Sequence, residues 1–302
     1  MTNIEGPFGR AQKIEELDVA VLEKMYMERC GVSLNLRAIG VPTVELYKCV
    51  ITGVRFWRPV EAAGDEEFYH ALSAAWSTYY RDWRWEYAQA LSLTSPRDRL
   101  LEIGCGRGYF LQHMEGKVAA AEGLELNNEA IANKVTRWPV HSRMVEDMAA
   151  NNREAFDVVC SFQVLEHVID PASFIEASLA CLKPGGLLVY STPNTEFGPN
   201  RRREDAFDLP PHHMSYFSHD SYRRIADLLG LKIVMIVDAP TFGALSNPNG
   251  AMSLKAKRIK ITDAIRSTFD RLRGRTGMTT FVAMRKPAKS SGLCGNGGEW
   301  VR

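Results

Sequence analysis

The chain has 302 residues, 45% of them hydrophobic and 24% charged, which is typical of a folded globular protein and excludes collagen-like and disordered classes. Its 37 basic and 36 acidic residues leave a formal charge of +1, so no overall field draws it to nucleic acid or to an anionic membrane. No stretch approaches the about 20 apolar residues of a membrane span, and the polar residues 1–18 do not resemble a secretory signal. Because the six cysteines are scattered, several of them in apolar patterns, we expect reduced thiols in a cytoplasmic protein.

Residues 1–65 have a mixed pattern that predicts a small N-terminal α+β subdomain. A helical stretch around Ile14–Arg29 precedes short β-like runs such as Val44–Ile51. Across residues 66–91 apolar side chains recur every three or four positions, which predicts one long helix that ends before Pro96. For the aromatic residues of this stripe, core packing is favoured over a place in a substrate pocket.

Beyond residue 98 short apolar runs alternate with helical patterns, which is typical of a sheet covered by helices on both faces. The fold class that we predict is therefore α/β with a doubly wound sheet. Its seven predicted strands are Arg99–Ile103, Val118–Leu124, Val140–Val145, Phe156–Phe162, Leu187–Thr192, Leu231–Val237 and Thr279–Met284.

We assign residues 66–287 to this larger domain, with a basic helical insertion at 251–275, and residues 288–302 to an unstructured tail. Eight basic and two acidic side chains lie within residues 254–275. For this segment a solvated helix face is favoured over contact with lipid or nucleic acid, and we expect no nucleic-acid partner.

A glycine-rich loop follows the first of these strands, with glycines at positions 104, 106 and 108. Glycines let the backbone turn tightly and let a ligand approach with no Cβ in the way. A dinucleotide fingerprint would need glycine at position 109, which is tyrosine, and no lysine followed by serine or threonine completes a phosphate-binding P-loop. The loop therefore predicts a cofactor site, but not one for NAD or FAD.

Three acidic side chains stand at the ends of neighbouring predicted strands, where they can bind parts of a nucleoside ligand. Glu125, 19 residues after Gly106, can accept hydrogen bonds from both hydroxyls of a ribose. Asp147, with Met148 packing on the ring, can accept from an adenine amino group at the end of the third strand. Glu102 ends the first strand, where a carboxylate can hold a cationic amine.

These motifs occur together in a known family. The chain resembles the class I S-adenosylmethionine-dependent methyltransferases over roughly residues 85–240, in Glu102-x-Gly104-x-Gly106-x-Gly108, Glu125, Phe156-Asp-Val-Val-Cys-Ser-Phe-Gln-Val-Leu-Glu-His167 and Leu182-Lys-Pro-Gly-Gly186. The resemblance implies a Rossmann-like, mostly parallel seven-stranded sheet with an antiparallel last strand, and S-adenosylmethionine as the cofactor. It also implies that the three glycines line the methionine portion, that Glu125 binds the ribose, that Asp147 and Met148 contact the adenine, and that Gln163 faces the sulfonium region.

One branch of the family bears on the question of a metal. The Leu165-Glu-His167 run and Pro210-Pro-His-His213 resemble the branch that includes ubiquinone-type O-methyltransferases. In some of these relatives a glutamate at the position of Gln163, with the acid and histidine that match Glu166 and His167, is proposed to hold a divalent metal. Glutamine is neutral and a poorer ligand for a hard cation, so we predict no metal.

His212 and His213 are the candidate catalytic residues. They lie in the long loop that leaves the carboxyl end of the fifth predicted strand, at the ligand-binding edge of an open α/β sheet. One of them can act as the general base that takes the proton of an acceptor hydroxyl. The alternative is that both hydrogen-bond the loop backbone and order a lid, and for His167 a structural role is favoured.

The resulting hypothesis is an enzyme that moves a methyl group from S-adenosylmethionine to an oxygen of a small metabolite or sugar-containing intermediate; a nitrogen or carbon acceptor is less favoured. One alternative is a non-catalytic module that binds the cofactor or its demethylated product. A nicotinamide-dependent oxidoreductase is disfavoured by Tyr109. No motif identifies the acceptor or the oligomeric state.

Overall fold

Within the described residues the strands form two β-sheets, one of five strands and one of seven. The structure is a computed structural model that describes residues 3–34, 36, 40–75, 80–195, 205–240 and 277–289. The expected basic insertion at 251–275 and nearly all of the expected tail at 288–302 therefore lie outside the described residues. None of the helices within the described ranges is long and apolar enough to cross a lipid bilayer.

The small sheet is antiparallel throughout. Its first four strands are β1 (Asn3–Gly6), β2 (Gly9–Asp18), β3 (Thr43–Cys49) and β4 (Arg55–Arg58). Helix α1 (Val19–Cys30) follows β2, and the Asp18 side chain caps it by accepting a hydrogen bond from Ala20 N–H at 2.7 Å.

The sequence prediction placed the start of the first helix several residues too early. We expected it to begin around Ile14, whereas the structure keeps residues up to Asp18 in β2, paired with β3. Both partners of this ladder are strands of alternating burial, so long-range pairing outweighs the local helical pattern.

The predicted long helix over residues 66–91 is wrong for the part of the chain that is described. Two helices are present, α2 (Glu66–Ala75) and α3 (Trp85–Leu93), and the backbone at Arg84, just before α3, is extended. Phe68 and Leu72 of α2 are buried in the core of the small sheet, whereas Tyr87 of α3 is buried in the core of the large sheet. The three- or four-residue spacing of apolar side chains runs through both helices because each of them buries one face. The two faces, however, pack against different sheets.

The large sheet confirms the predicted α/β fold. The strands are β5 (Arg99–Ile103), β6 (Ala120–Leu124), β7 (Val140–His141), β8 (Phe156–Phe162), β9 (Leu182–Pro193), β11 (Lys232–Asp238) and β12 (Thr279–Arg285), with β10 (Ser215–Tyr216) outside this sheet. They lie in the order β11-β12-β9-β8-β5-β6-β7, and β12 runs antiparallel to the other six.

Five further helices lie in the described connections between these strands. They are α4 (Tyr109–His113), α5 (Asn128–Ala132), α6 (Val145–Asn151), α7 (Pro171–Cys181) and α8 (His219–Leu228). Helix α7 begins as its sequence predicts, because Asp170 accepts hydrogen bonds from two backbone N–H groups of the first turn and Pro171 opens the helix.

Strand β10 belongs to the small sheet although it lies between β9 and α8 in the chain. Ser215 pairs with Phe56 and Tyr216 with Arg55 of β4. Leu209, Met214 and Tyr216 are buried in the same core as α1 and α2. The loop after β9 thus joins the two sheets, and the predicted boundary at residues 65 and 66 stays a prediction.

A buried hydrogen-bond chain fixes this junction and can be tested. Trp57 Nε1 donates to the Tyr216 hydroxyl at 2.8 Å, and that hydroxyl donates to the Asp208 carbonyl at 2.5 Å. Tyr216→Phe leaves the buried indole N–H without its acceptor, so we expect the free energy of unfolding to fall by about 1–3 kcal/mol, measured by urea denaturation. In the control Tyr47→Phe the lost bond goes to the half-exposed Glu45 carboxylate, and the loss should be smaller. Equal losses would show that the buried chain does not stabilise the junction.

Candidate active site

The carboxyl ends of β5, β6, β8 and β9 meet at one edge of the large sheet, where open α/β sheets bind ligands. The loop after β5 is tied to the neighbouring strand at this edge, because Gly104 N–H and Cys105 N–H both donate to the Leu124 carbonyl, at 2.8 and 3.0 Å. The edge therefore presents a fixed backbone surface on which the predicted site residues can be placed.

The three loop glycines have positive φ angles of +70°, +54° and +77° at positions 104, 106 and 108. A Cβ on Gly104 would stand 2.4 Å from a methyl of Val164, and one on Gly108 would stand 2.5 Å from a methyl of Thr136. At these two positions the absence of a Cβ lets side chains of the same chain pack directly against the backbone of the loop. A Cβ on Gly106 would stand 2.9 Å from the ring of Tyr80, so this glycine lets a side chain from outside the sheet approach the loop.

Glu125 joins the glycine loop to the turn after β6. Its Oε2 accepts from Gly106 N–H at 2.7 Å, and its Oε1 accepts from Leu126 N–H and Asn127 N–H at 2.9 and 2.8 Å. The Tyr80 hydroxyl accepts from Asn127 Nδ2 at 3.0 Å, so the tyrosine spans from Gly106 to the same turn. The carboxylate thus lies where the sequence placed it, at the end of the second strand of the large sheet.

Glu102 is a buried acid beside this loop. It is 2% exposed, and its Oε2 has no hydrogen-bond partner among the described residues. Burial raises the pKa of this carboxyl well above its usual range, and the charge of Glu125 adds to the increase. Burial therefore favours the neutral form of Glu102, which also has an unused carboxyl oxygen.

Asp147 and Met148 are not placed as the sequence predicted. Strand β7 ends at His141, and both residues lie in the first turn and a half of α6 instead of closing a strand. The ladder with β6 is only two residues long, since Ser142 and Arg143 leave the sheet. Asp147 is exposed, whereas Met148 is buried in the main core, and their contact with an adenine stays a prediction.

Gln163 has a strained backbone conformation and begins a chain of hydrogen bonds that leads through Ser191 to Glu86. Its φ is +56°, which is uncommon for a residue other than glycine and occurs often at functional sites. Its backbone N–H donates to the Ser191 carbonyl at 2.9 Å and its Nε2 donates to the Ser191 hydroxyl at 3.3 Å. That hydroxyl donates in turn to Glu86 Oε1 at 3.5 Å.

Glu86 was missed by the sequence reasoning. It lies in the first turn of α3, is 4% exposed, and burial raises the pKa of its carboxyl. Arg84 Nη1 is 4.0 Å from Glu86 Oε1 and brings a cation to the same place. An acidic residue inside an apolar helical stripe, between Trp83 and Tyr87, is a pattern that could have identified it.

His212 and His213 meet His167 in a buried cluster that we call the histidine cluster. The ring centroids are 4.5 Å apart for His167 and His212, 5.0 Å for His167 and His213, and 4.6 Å for His212 and His213. The loop that carries the pair is held against the end of β8, because Met214 N–H and Ser215 N–H donate to the Glu166 carbonyl at 2.8 and 2.9 Å. The sequence did not predict that His167 joins the other two.

Two ring nitrogens of the cluster are engaged by backbone carbonyls. His167 Nδ1 lies 2.5 Å from the His212 carbonyl, and His212 Nδ1 lies 2.9 Å from the Phe207 carbonyl. A carbonyl can only accept, so each Nδ1 carries the hydrogen. Backbone bonding by these histidines, the alternative to a catalytic role, is thus present at His212, and the role as general base stays a prediction.

Burial sets the charge of the cluster. It lowers the pKa of His167 to about 4 and holds the pKa values of His212 and His213 well below their usual range. It raises the pKa of the neighbouring Glu166 to about 8. Both carboxyl oxygens of Glu166 lie buried without a hydrogen-bond partner in the described part of the chain. All four side chains are accordingly neutral near pH 7.

Comparison with known proteins gives a family match. Residues 75–236, more than half of the 302 residues, match the model of a family described as a methyltransferase domain. A ubiquinone biosynthesis O-methyltransferase from Xanthomonas axonopodis is 34% identical over 161 residues, which are 50% of this chain and 61% of the relative. Another, from Thiobacillus denitrificans, is 36% identical over 105 residues, or 32% of this chain and 44% of the relative. The chain spans less than two thirds of the length of these curated relatives.

Two solved structures are similar in fold. An S-adenosylmethionine-dependent methyltransferase from Archaeoglobus fulgidus has a TM-score of 0.50 and 18% identity, and the match covers 66% of this chain and 90% of that one. A chain from the complex of the Haloferax volcanii Trm112 methyltransferase activator with a methyltransferase has a TM-score of 0.55 and 18% identity, with coverage of 76% and 100%. At this identity the likeness concerns the fold.

The packing at Gly104 gives a test of the loop. Gly104→Ala places a Cβ 2.4 Å from Val164 at a φ of +70°, whereas Gly116→Ala at φ +76° meets no atom within 4 Å. We expect the control Gly116→Ala to lower the free energy of unfolding by about 1 kcal/mol through backbone strain alone. Overpacking should bring the loss in Gly104→Ala to about 2–4 kcal/mol. Urea denaturation measures both, and equal losses would contradict the tight contact with Val164.

Proposed function

Because the chain belongs to the class I S-adenosylmethionine-dependent methyltransferase family, we propose that it transfers a methyl group from S-adenosylmethionine to an oxygen of a small-molecule acceptor. The observation that carries this proposal is the pair of acids at the glycine loop. Glu125 bridges the loop and the β6 turn, and the buried Glu102 beside it keeps an unused oxygen.

The residues at the sheet edge fit the cofactor. S-adenosylmethionine supplies, when bound, a methyl group already activated on a positively charged sulfur. We assign the ribose hydroxyls to Glu125, the amine to Glu102, and the methionine portion to the loop of Gly104, Gly106 and Gly108. Gln163 with its Ser191 contacts faces the sulfonium region in this assignment, and Asp147 with Met148 takes the adenine. The donor is cationic at two points, so acids at this edge suit it electrostatically.

The choice of an oxygen acceptor is supported by the histidine cluster. A hydroxyl must lose its proton during methylation, and a nearby general base increases the rate by about a hundredfold or more. His212 and His213 are neutral imidazoles at the same edge, and we propose that one of them takes that proton. The names of the similar relatives, which are O-methyltransferases, agree with this choice over nitrogen or carbon.

Turnover tests the proposal against a module that only binds the cofactor. The chain is incubated with isotopically labelled donor and fractions of a metabolite extract, and labelled product and S-adenosylhomocysteine are measured by mass. We expect acceptor-dependent turnover in the wild type. In Glu125→Ala, donor affinity should fall about 10- to 150-fold, because a charge-assisted acceptor is lost.

The matched control is Glu129→Ala in α5, which lies four residues away and outside the loop contacts. It should keep the affinity and the turnover of the wild type. Donor binding without turnover in any fraction would favour the binding module. Unchanged affinity in Glu125→Ala would contradict the ribose assignment.

A proton balance tests the role of Glu102. Burial favours the neutral form of this acid in the free protein, and the acid must ionise to hold an amine, so donor binding should release protons, up to one for each donor bound. Since binding then favours the ionised form, affinity should increase as pH rises toward the raised pKa of the free carboxyl. Titration calorimetry in two buffers of different ionisation enthalpy measures the release. In Glu102→Gln the release should disappear, and equal heats in both buffers for the wild type would contradict the assignment.

A further inference from the structure

The hydrogen bonds between Gln163, Ser191 and Glu86 connect three elements at the ligand-binding edge of the large sheet. Gln163 follows β8, Ser191 lies near the end of β9, and Glu86 lies in the first turn of α3. Ser191 is fully buried and Glu86 is 4% exposed. A buried polar network whose hydrogens all have acceptors holds its members in one arrangement. The arrangement of this network can therefore be derived from its donors and acceptors.

The single hydrogen of the Ser191 hydroxyl sets the direction of the network. This hydroxyl donates to Glu86 Oε1 at 3.5 Å, so on its other side its oxygen accepts from Gln163 Nε2, at 3.3 Å. The nitrogen and the oxygen of a side-chain amide lie on opposite sides of one carbon atom. Because Nε2 is directed to Ser191, Oε1 is directed away from it, and Oε1 makes no hydrogen bond to the described residues.

Glu86 maintains this direction because it ends the network as an acceptor. Burial raises the pKa of its carboxyl, and the charge of Arg84, whose Nη1 lies 4.0 Å from Oε1, opposes that increase. An ionised carboxylate can only accept hydrogen bonds. An uncharged amide in its place could also donate to the Ser191 oxygen. The serine hydroxyl could then donate to Oε1 of Gln163, and the amide would turn its nitrogen away from Ser191 instead.

The backbone of Gln163 is held by the same serine. Its N–H donates to the Ser191 carbonyl at 2.9 Å, in a conformation with a φ of +56°. A conformation that is uncommon for residues other than glycine persists only where the surrounding structure fixes it. Since Ser191 binds both the backbone and the side chain of Gln163, the amide has little freedom to turn while the network is intact.

From this geometry we propose that Glu86 is a positioning residue, which acts through Ser191 to hold the amide oxygen of Gln163 toward the charged sulfur of the methyl donor. The inference rests on the proposed function, in which Gln163 faces the sulfonium region. A carbonyl oxygen attracts the C–H groups attached to a positively charged sulfur, whereas an NH2 group in its place would repel them. The network therefore favours the charged donor over its neutral demethylated product.

A ratio of two affinities tests this role without an acceptor. Titration calorimetry on the full chain measures the Kd of S-adenosylmethionine, which has the charged sulfur, and of S-adenosylhomocysteine, which does not. In Ser191→Ala the network is interrupted, so the preference for the donor over the product should fall about 3- to 10-fold, with the affinity for S-adenosylhomocysteine kept. Glu86→Gln should also lower the preference. Its effect should vanish when it is combined with Gln163→Ala, because Glu86 acts through that amide.

The matched control is Ser178→Ala, which removes another fully buried serine hydroxyl, one that donates to the Phe174 carbonyl within α7 at 2.7 Å. It should keep the wild-type preference. An unchanged preference in Ser191→Ala overturns the positioning role. So does an equal effect of Glu86→Gln with and without the Gln163 side chain, since Glu86 would then act by its charge alone. A wild type that binds neither ligand is a different result, because it overturns the proposed function itself and this inference with it.

Discussion

Two hydrogen bonds to one backbone carbonyl hold the loop that carries His212 and His213 at the edge of the large sheet. Met214 N–H and Ser215 N–H both donate to the carbonyl of Glu166, at the turn that follows β8. They fix the loop after β9 against the carboxyl edge of the large sheet, and Ser215 itself, with Tyr216, pairs with β4 of the small sheet. Together with the buried chain from Trp57 to Tyr216 and Asp208, these bonds hold His212 and His213 beside His167 and join the two sheets.

The acidic side chains of the site have one property in common, which is that burial removes them from water. Glu86, Glu102 and Glu166 are all buried, and burial raises the pKa of each, while the charge of Arg84 acts on all three in the opposite direction. Such acids are costly to keep in a fold unless a ligand or a partner compensates them. Buried acids with raised pKa values that lie together at the ligand-binding edge of a sheet are typical of functional sites.

The sequence predicts the parts of this structure that depend on local pattern. The presence of all seven strands of the large sheet, the cap of α7, the glycine loop and the position of Glu125 follow from periodicity and spacing, whereas the end of β7 was predicted four residues too late. The break between α2 and α3 did not follow, because both helices continue the same apolar period on different cores. Strand β10, the contact of Glu86 with Ser191 and the meeting of His167 with His212 depend on pairs distant in the chain, and no local pattern reports them.

Because β10 follows β9 of the large sheet in the chain, the small sheet is assembled from two separate stretches of polypeptide. A shortened form of the protein that started at residue 66 would lack β1 to β4. The apolar side chains of Leu209, Met214 and Tyr216 would then be exposed to solvent. The N-terminal segment is in this sense part of the support for the loop of His212 and His213, and removing it would remove the sheet against which that loop packs.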